Sequence, residues 1–517
     1  MTPRLLISVV VALVVSTPAY AQRGNWWGSM GNPTWGPGRE IARVAPLHTG
    51  GNAPMLSPPP GVDPGLRTGT TFPNAGGFFS GLSASELAFL GSTSTSGAAF
   101  WTNTLWTVAG ITLPGLGPGY DTPGCAACHS FPTLGGTSAP TNYEYTTSPT
   151  YNGANTNTIP AFVTQHGPIV IPWNTTFQGT MPIYSVQGMT DASTCTFAQP
   201  NWTALLAQSP QIIYFTSPMP WYGLGLVEAT PAANIVADQT VIPGGASWTF
   251  AGLGITTGNF QQDIGGLNTV GRKGATSSVE EFAGIAEAVE VGVTSGLYPR
   301  KAEHGSSACD ALYNLPEDRV QLARRAPNSS SVAADYSSMQ VLTSTFARSL
   351  APATPVTSGG YTTCGPTNTS GTCVSPVTTV AQSDVTAGQT AFINVGCVAC
   401  HTQSHTTGYS SITGTSQVTY SPWSDYAIHN MGTGLTNGIT FGAAGPQDWR
   451  TPALWGTGIR LFFMHDGRCG PASSPDPLNC AITAHDSLGS EASAVEDAFY
   501  SLSTTAQQQI LDFLRSL

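Results

Sequence analysis

The feature that most limits what this chain can be is a short motif that occurs twice, GCAACHS at Gly124–Ser130 and GCVACHT at Gly396–Thr402. Each copy sets two cysteines three positions apart with a histidine directly after the second. Disulfides, a zinc site, a redox dithiol and covalent haem all use closely spaced cysteines. A redox CxxC belongs at a helix N-terminus after a strand, whereas Cys125 follows the loop-like GLGPGYDTPG. Tetrahedral zinc needs four ligands around one point, and each copy crowds three onto a single turn. Covalent haem c uses all three residues at once: the cysteines form thioethers and the histidine on the same turn ligates the iron. Two copies therefore predict two covalently bound haem c groups, on Cys125 and Cys128 and on Cys397 and Cys400. His129 and His401 are the proximal iron ligands.

The start of the chain agrees with that chemistry. MTPRLLISVVVALVVSTPAYAQ has one early charge, Arg4, an apolar run from Leu5 to Val15 and a small-residue site at Ala19-Tyr20-Ala21. This is the layout of a cleaved secretory signal, and the run is short for a helix that needs about 20 residues to span a bilayer. The protein is expected in the periplasm or secreted, with no membrane span after cleavage. Charged residues make up only 9% of the chain, against about 25% in an average domain, while glycines number 59 and prolines 40. With a net charge of −11 and only two lysines, Lys273 and Lys301, nothing supplies a stripe that neutralises phosphates, so nucleic acid is excluded as a partner. The other six cysteines read as disulfides in an exported chain: Cys364 with Cys373, Cys469 with Cys480, and Cys195 with Cys309.

Along the chain, Ser83 and Glu86 open a helix. Val279–Val293 and the stretch SMQVLTSTFARSLAP have helical spacing, and QIIYFTSP and SWTFAGLGI suggest strands. Asp384 is placed to cap a helix leading into the second motif, and Ser503 caps a terminal helix with Ile510, Leu511, Leu514 and Leu517 on one face. The expected fold is mainly α and loop-rich, with two cytochrome-c-like haem domains, the first heavily embellished with loops and short strands. The expected divisions are a signal peptide at 1–21, an irregular extension at 22–80, an N-terminal haem domain with long insertions at 81–352, a linker or surface loop at 353–382, and a C-terminal haem domain at 383–517.

Several blocks carry a likeness in order: GLGPGYDTPGCAACHSFPTLGGTS, CTFAQPNW, MPWYGLGLVEATP, VEEFAGIAEAVEVGVTSGLYP, GCVACH, WSDYAIHNMG and WRTPALWGTGIRLFFMHDGR. Over about residues 83–517 the chain resembles the bacterial di-haem oxidoreductases of peroxidase type, relatives of the di-haem cytochrome c peroxidases and of the methylamine-utilisation di-haem enzyme. It departs where the family has Gly-Trp-Lys and this chain has Gly271-Arg272-Lys273, and at Val291, where the family often has methionine. Cys469–Cys480 looks like an insertion.

The resemblance implies one electron-transfer haem and one reactive haem. A small redox protein would be the electron donor or acceptor, and a small-molecule oxidant or substrate the other partner. Rival readings are an electron-transfer cytochrome without its own substrate and a di-haem oxygenase acting on an organic substrate. His485 and Met431 are the leading distal ligands for the second haem, with His429 and Met464 behind them. His166 and His304 are the histidines available to the first, neither of them matching a family ligand. Arg450, Arg460 and Arg468 are candidates to pair with haem propionates, and His465 to stand near them. Glu228 and Glu290 are the acid/base candidates, and Trp449 or Trp455 the bridge between haems.

Overall fold

A computed structural model of the protein describes residues 61–68, 77–91, 119–122, 124–146, 157–176, 179–185, 198–208, 212–244, 246–292, 339–364, 377–471, 474 and 476–517. The signal segment, most of the N-terminal extension, Cys195, His304, Cys309 and Cys373 lie outside the described residues.

Two segments of 13 residues form the longest helices among the described residues, Gln382–Asn394 and Thr504–Ser516. The terminal one starts where the Ser503 hydroxyl accepts from the Ala506 N–H, and it buries Ile510, Leu511 and Leu514. It crosses the first helix at Gly388, where a Cβ would collide with the Gln509 carbonyl oxygen, so only glycine lets the backbones approach this closely. Beside the crossing, Phe392, Trp423 and Phe513 form a ring cluster with Trp423 edge-on to both phenylalanines, at 5.7 and 5.0 Å. The helix start is Ala381, with no side-chain cap, rather than Asp384, which instead accepts from Gln509 Nε2 at 3.1 Å.

A second core gathers Trp221, Tyr222, Leu224, Val279, Phe346, Leu350, Tyr420 and Trp455. Its frame is the helix Val279–Glu290, capped by the Ser278 hydroxyl, and the helix Met339–Ser349 packed on it. Glu228 fastens the two. It accepts from the Val279 N–H at 2.8 Å and from Arg348 Nη2 at 2.8 Å.

The expectation of a mainly α fold built from cytochrome-c-like domains is wrong. Among the described residues helix accounts for about 33% and strand for about 16%, and six separate sheets of two or three strands are spread along them. The reason lies in the glycine- and proline-rich segments between the motifs. Few are long enough to carry an amphipathic stripe, so their backbone groups are satisfied by short antiparallel pairings. The chain from 353 to 382 includes two such strands, Tyr361–Cys364 and Val377–Val380, which pair with each other and with Leu66–Thr68. QIIYFTSP forms the strand Ile213–Thr216, but SWTFAGLGI does not pair. Thr249 caps a one-turn helix, Phe250–Leu253, that Gly254 ends at φ 70°.

The N-terminal strand is locked to the far end of the chain. Arg515 donates to Asp63 at 2.8 and 2.6 Å, and both side chains are only 2% exposed. Cys469 and Cys480 form a disulfide with a Cα–Cα distance of 5.5 Å. Cys364 is also disulfide-bonded, and its expected partner Cys373 is not among the described residues.

Candidate functional site

The second motif begins where the helix Gln382–Asn394 stops. Gly396 takes φ 100°, a left-handed turn that throws Cys397–Ala399 into a single 3₁₀ turn. The His401 N–H donates to the Cys397 carbonyl at 3.0 Å, so all three motif side chains stay on one turn. A strained segment braces them. Trp423 and Tyr426 have φ of 54° and 57°, and the intervening Asp425 and Ser424 donate to the Cys400 and Thr402 carbonyls at 2.8 Å. That segment offers the Trp423 carbonyl to His401 Nδ1 at 2.8 Å. With the proton of Nδ1 committed there, Nε2 carries the lone pair. Burial lowers the His401 pKa to about 4 and keeps it neutral, as a ligand must be. Burial also pushes the Cys397 thiol up to about 12, the opposite of a reactive dithiol.

Cys397, Cys400 and His401 line a mostly apolar cavity of about 280 Å³. That is near the lower end of ligand pockets, about 300–1,000 Å³. Met431, Met464 and His485 also face it, together with Arg272, Arg450, Arg460, Trp449 and Trp455. His485 repeats the arrangement of His401, since its Nδ1 donates to the Ala481 carbonyl at 2.8 Å and burial lowers its pKa. Met464 holds φ 69°, a conformation that methionine rarely adopts. His429 is different. Nε2 bonds Asp425 at 2.9 Å and Nδ1 bonds Glu491 at 3.1 Å, so both nitrogens are spent on carboxylates and neither is left for a metal. Burial alone would lower its pKa, but the Cys400 thiol and these two carboxylates outweigh it and raise it. Donor set, tautomers and cavity together fit a covalent haem.

The first motif has the same donors in another setting. Cys125–Cys128 is a one-turn helix, and His129 donates from Nδ1 to the Gly136 carbonyl at 3.3 Å. Its Nε2 accepts the Trp221 indole N–H at 3.3 Å, the ring edge-on at 5.9 Å. Only about 10 Å³ remains open beside Cys125 and His129. The residue types match those of the second motif, but both ring nitrogens of His129 are engaged and the space among the described residues does not fit a haem. Carboxylates crowd the cysteines instead. Cys128 Sγ lies 3.9 Å from Glu144. Burial raises the Glu144 pKa to about 8 and the Glu290 pKa to about 7, and holds Asp121 well above its usual range. Asp121 Oδ2 and Glu144 Oε2 are buried without a hydrogen-bond partner.

One segment divides the two sites. Met219, Pro220 and Tyr222 line the large cavity, while Trp221 between them faces His129. Residues 369–517 match the model of a family described as "Di-haem oxidoreductase, putative peroxidase". The C-terminal region is similar to the di-haem oxidoreductases. The match includes the second motif and its cavity-lining Met431, Met464 and His485, and it stops short of the first motif. No curated protein and no solved structure matches the chain. No helix among the described residues is long and apolar enough to cross a membrane.

The remaining candidate residues fall into two groups. Arg450, Arg460, Trp449 and Trp455 reach the cavity. Trp449 stacks on His465 at 4.1 Å, and Trp455 packs against Gly223 and, at 6.0 Å, Tyr420. Arg468 does not reach it, being paired with Asp466 at 2.7 Å. Glu228 is tied to Arg348, and His166 is exposed on the surface. The sequence reading did not single out Trp221 or the two carboxylates on His429. Trp221 lay in plain view in MPWYGLGL, but nothing in the spacing told it from a core aromatic.

Proposed function

We propose that the protein is a periplasmic or secreted di-haem c oxidoreductase of peroxidase type. In this reading the second motif holds the electron-transfer haem and the first holds the reactive one. A small redox protein exchanges electrons with it, and a small-molecule oxidant such as a peroxide is reduced. The observation that carries the reading is the cavity beside Cys397, Cys400 and His401, with His485 on its wall and both imidazoles fixed in the tautomer that frees Nε2. Haem iron supplies one-electron chemistry when bound. The chain's own contribution at the second site is to hold and close it. His401 is the proximal ligand, His485 the candidate distal one, and Arg450 and Arg460 offer guanidiniums to propionates. At the first site the chain supplies proton carriers. Glu290, near 7, and Glu144, near 8, can hold protons at neutral pH, as cleavage of a peroxide bond requires.

Intact mass and a pyridine haemochrome spectrum of matured protein are the first test, and the reading requires two haem additions. Cyanide binding then assigns the roles. His485→Ala should create a second cyanide-binding iron. If cyanide still binds after His129→Ala but not after His401→Ala, the roles are reversed. One observation favours a second reading, an electron-transfer protein without its own substrate: Trp221 closes the face of His129 and leaves almost no space there. A ferric spectrum without any high-spin fraction would decide for it.

A further inference from the structure

The large cavity has a cationic wall, and the carboxyl that also lines it, Glu496, is not ion-paired to that wall and is raised by burial to about 8. Arg272, Arg450 and Arg460 all line it. They donate to backbone carbonyls: Ser217 for Arg272, Gly271 and Thr451 for Arg450, and Phe462 for Arg460. Among the described residues no carboxylate lies within ion-pair distance of any of the three; the nearby Asp466 is committed to Arg468. A haem brings two propionates, so of three guanidiniums one is left over. The surroundings indicate which. Burial lowers Arg450 and Arg460 as well, but against it Tyr426 and Asp425 support the charge of Arg450, and Tyr222 supports that of Arg460. Arg272 suffers first from burial and then from repulsion by both other arginines, and only Asp466 opposes this. Its field also reaches His129 in the first motif.

Resting on the proposed haem at Cys397 and Cys400, we infer that Arg272 is a positioning residue that sets that haem's reduction potential, as a cation left uncompensated on the cavity wall between the two motifs. A positive charge in an apolar surrounding is weakly screened, and it favours the reduced, less positive iron. It therefore holds the potential up. No other role for the charge is needed, since its hydrogen bond to Ser217 can be made by a neutral side chain.

The test is potentiometric titration of matured protein, followed optically, with haem content measured beforehand. Arg272→Gln should move the midpoint of the second haem to lower potential, and Arg272→Lys at neutral pH or below should restore it. A midpoint that stays put in Arg272→Gln with two haems still attached overturns the inference. So does a shift confined to the first haem. Loss of the second haem from the wild-type protein would instead sink the underlying functional reading, so the two failures are distinguishable. If the glutamine variant does not accumulate, Arg272→Lys over a pH range serves in its place. Burial lowers the neighbouring Lys273 to about 7. A lysine at 272, flanked by Arg450, Arg460, Lys273 and His465 and opposed by Asp466, should lose its proton as pH rises. The variant's midpoint should then fall with pH more steeply than the wild type's, and parallel curves overturn the inference.

Discussion

The two CxxCH motifs share their donors and differ in everything around them. At the second, His401 leans on the Trp423 carbonyl and faces about 280 Å³ of apolar space. At the first, His129 leans on the Gly136 carbonyl and faces the edge of Trp221, with buried carboxylates behind the cysteines. A motif fixes what can be bonded. The segments packed against it fix whether there is room, what charge is near and which protons are held.

The sharpest test of that contrast is to remove the cysteine pair of the second motif. Without its haem, a cavity of 280 Å³ at roughly 24 cal/mol per Å³ costs up to about 7 kcal/mol. The Cys397→Ser/Cys400→Ser variant should thus be far less stable to urea than wild type. A variant as stable as wild type would break that half of the comparison.

Next in size is Asp63→Asn, which strands the buried Arg515 charge in the core beside the second motif. Breaking such a pair costs about 3–5 kcal/mol. Denaturation should show the loss, while Asp63→Asn together with Arg515→Met should recover part of it.

A smaller effect separates the sites by pH. Burial raises the Glu144 carboxyl from its ordinary 4.5 to about 8 in the folded protein. Between those values the unfolded chain is ionised and the folded one is not, so the unfolded state binds fewer protons and stability falls as pH rises, by about 1.4 kcal/mol per unit at most. Glu144→Gln should flatten that part of the stability curve. His401, held near 4, has the opposite sense. Stability linked to it falls as pH drops from about 6.5 towards 4. A glutamine variant with an unchanged curve would show that Glu144 is not buried as described.

Smallest is Trp221→Phe, which removes one indole hydrogen bond to His129, worth about 1 kcal/mol. Urea midpoints should register a loss of that order. A loss several times larger would mean that Trp221 is a keystone of the second core rather than a partner of the histidine.

The sequence made the attachment residues legible because their chemistry is local. CxxCH needs only neighbours in the chain, and the capped helices at Ala84, Val279 and Thr504 follow from residues within one turn. The cavity was half legible. His485, Met431 and Arg450 could be named as candidates, but that they share one wall depends on contacts between distant segments. The overall class was misread because two helices flanking one motif suggested a helical protein, while the long glycine- and proline-rich stretches gave no period to contradict it. Short pairings such as Leu66–Thr68 with Tyr361–Cys364 leave almost no trace in three or four residues. The same limit hid Trp221, whose partner His129 is 92 positions away.

The Asp63–Arg515 pair also bears on when the molecule becomes itself. Its partners are 452 positions apart, so one is among the first described residues to leave a ribosome or a translocon and the other among the last. The terminal helix cannot settle across Gly388 with its guanidinium satisfied until the early strand is in place. That strand can pair with Tyr361–Cys364 earlier, but the Asp63 carboxylate beside it meets its guanidinium only when the helix arrives. Contacts of such separation form late and slowly. The cysteines of the second motif, which share their cavity with Ile510 and Leu514 of that helix, should therefore stay open to a haem-attaching machinery for most of the folding time and be sealed last. Maturation of this site would then be paced by the arrival of the chain's own end.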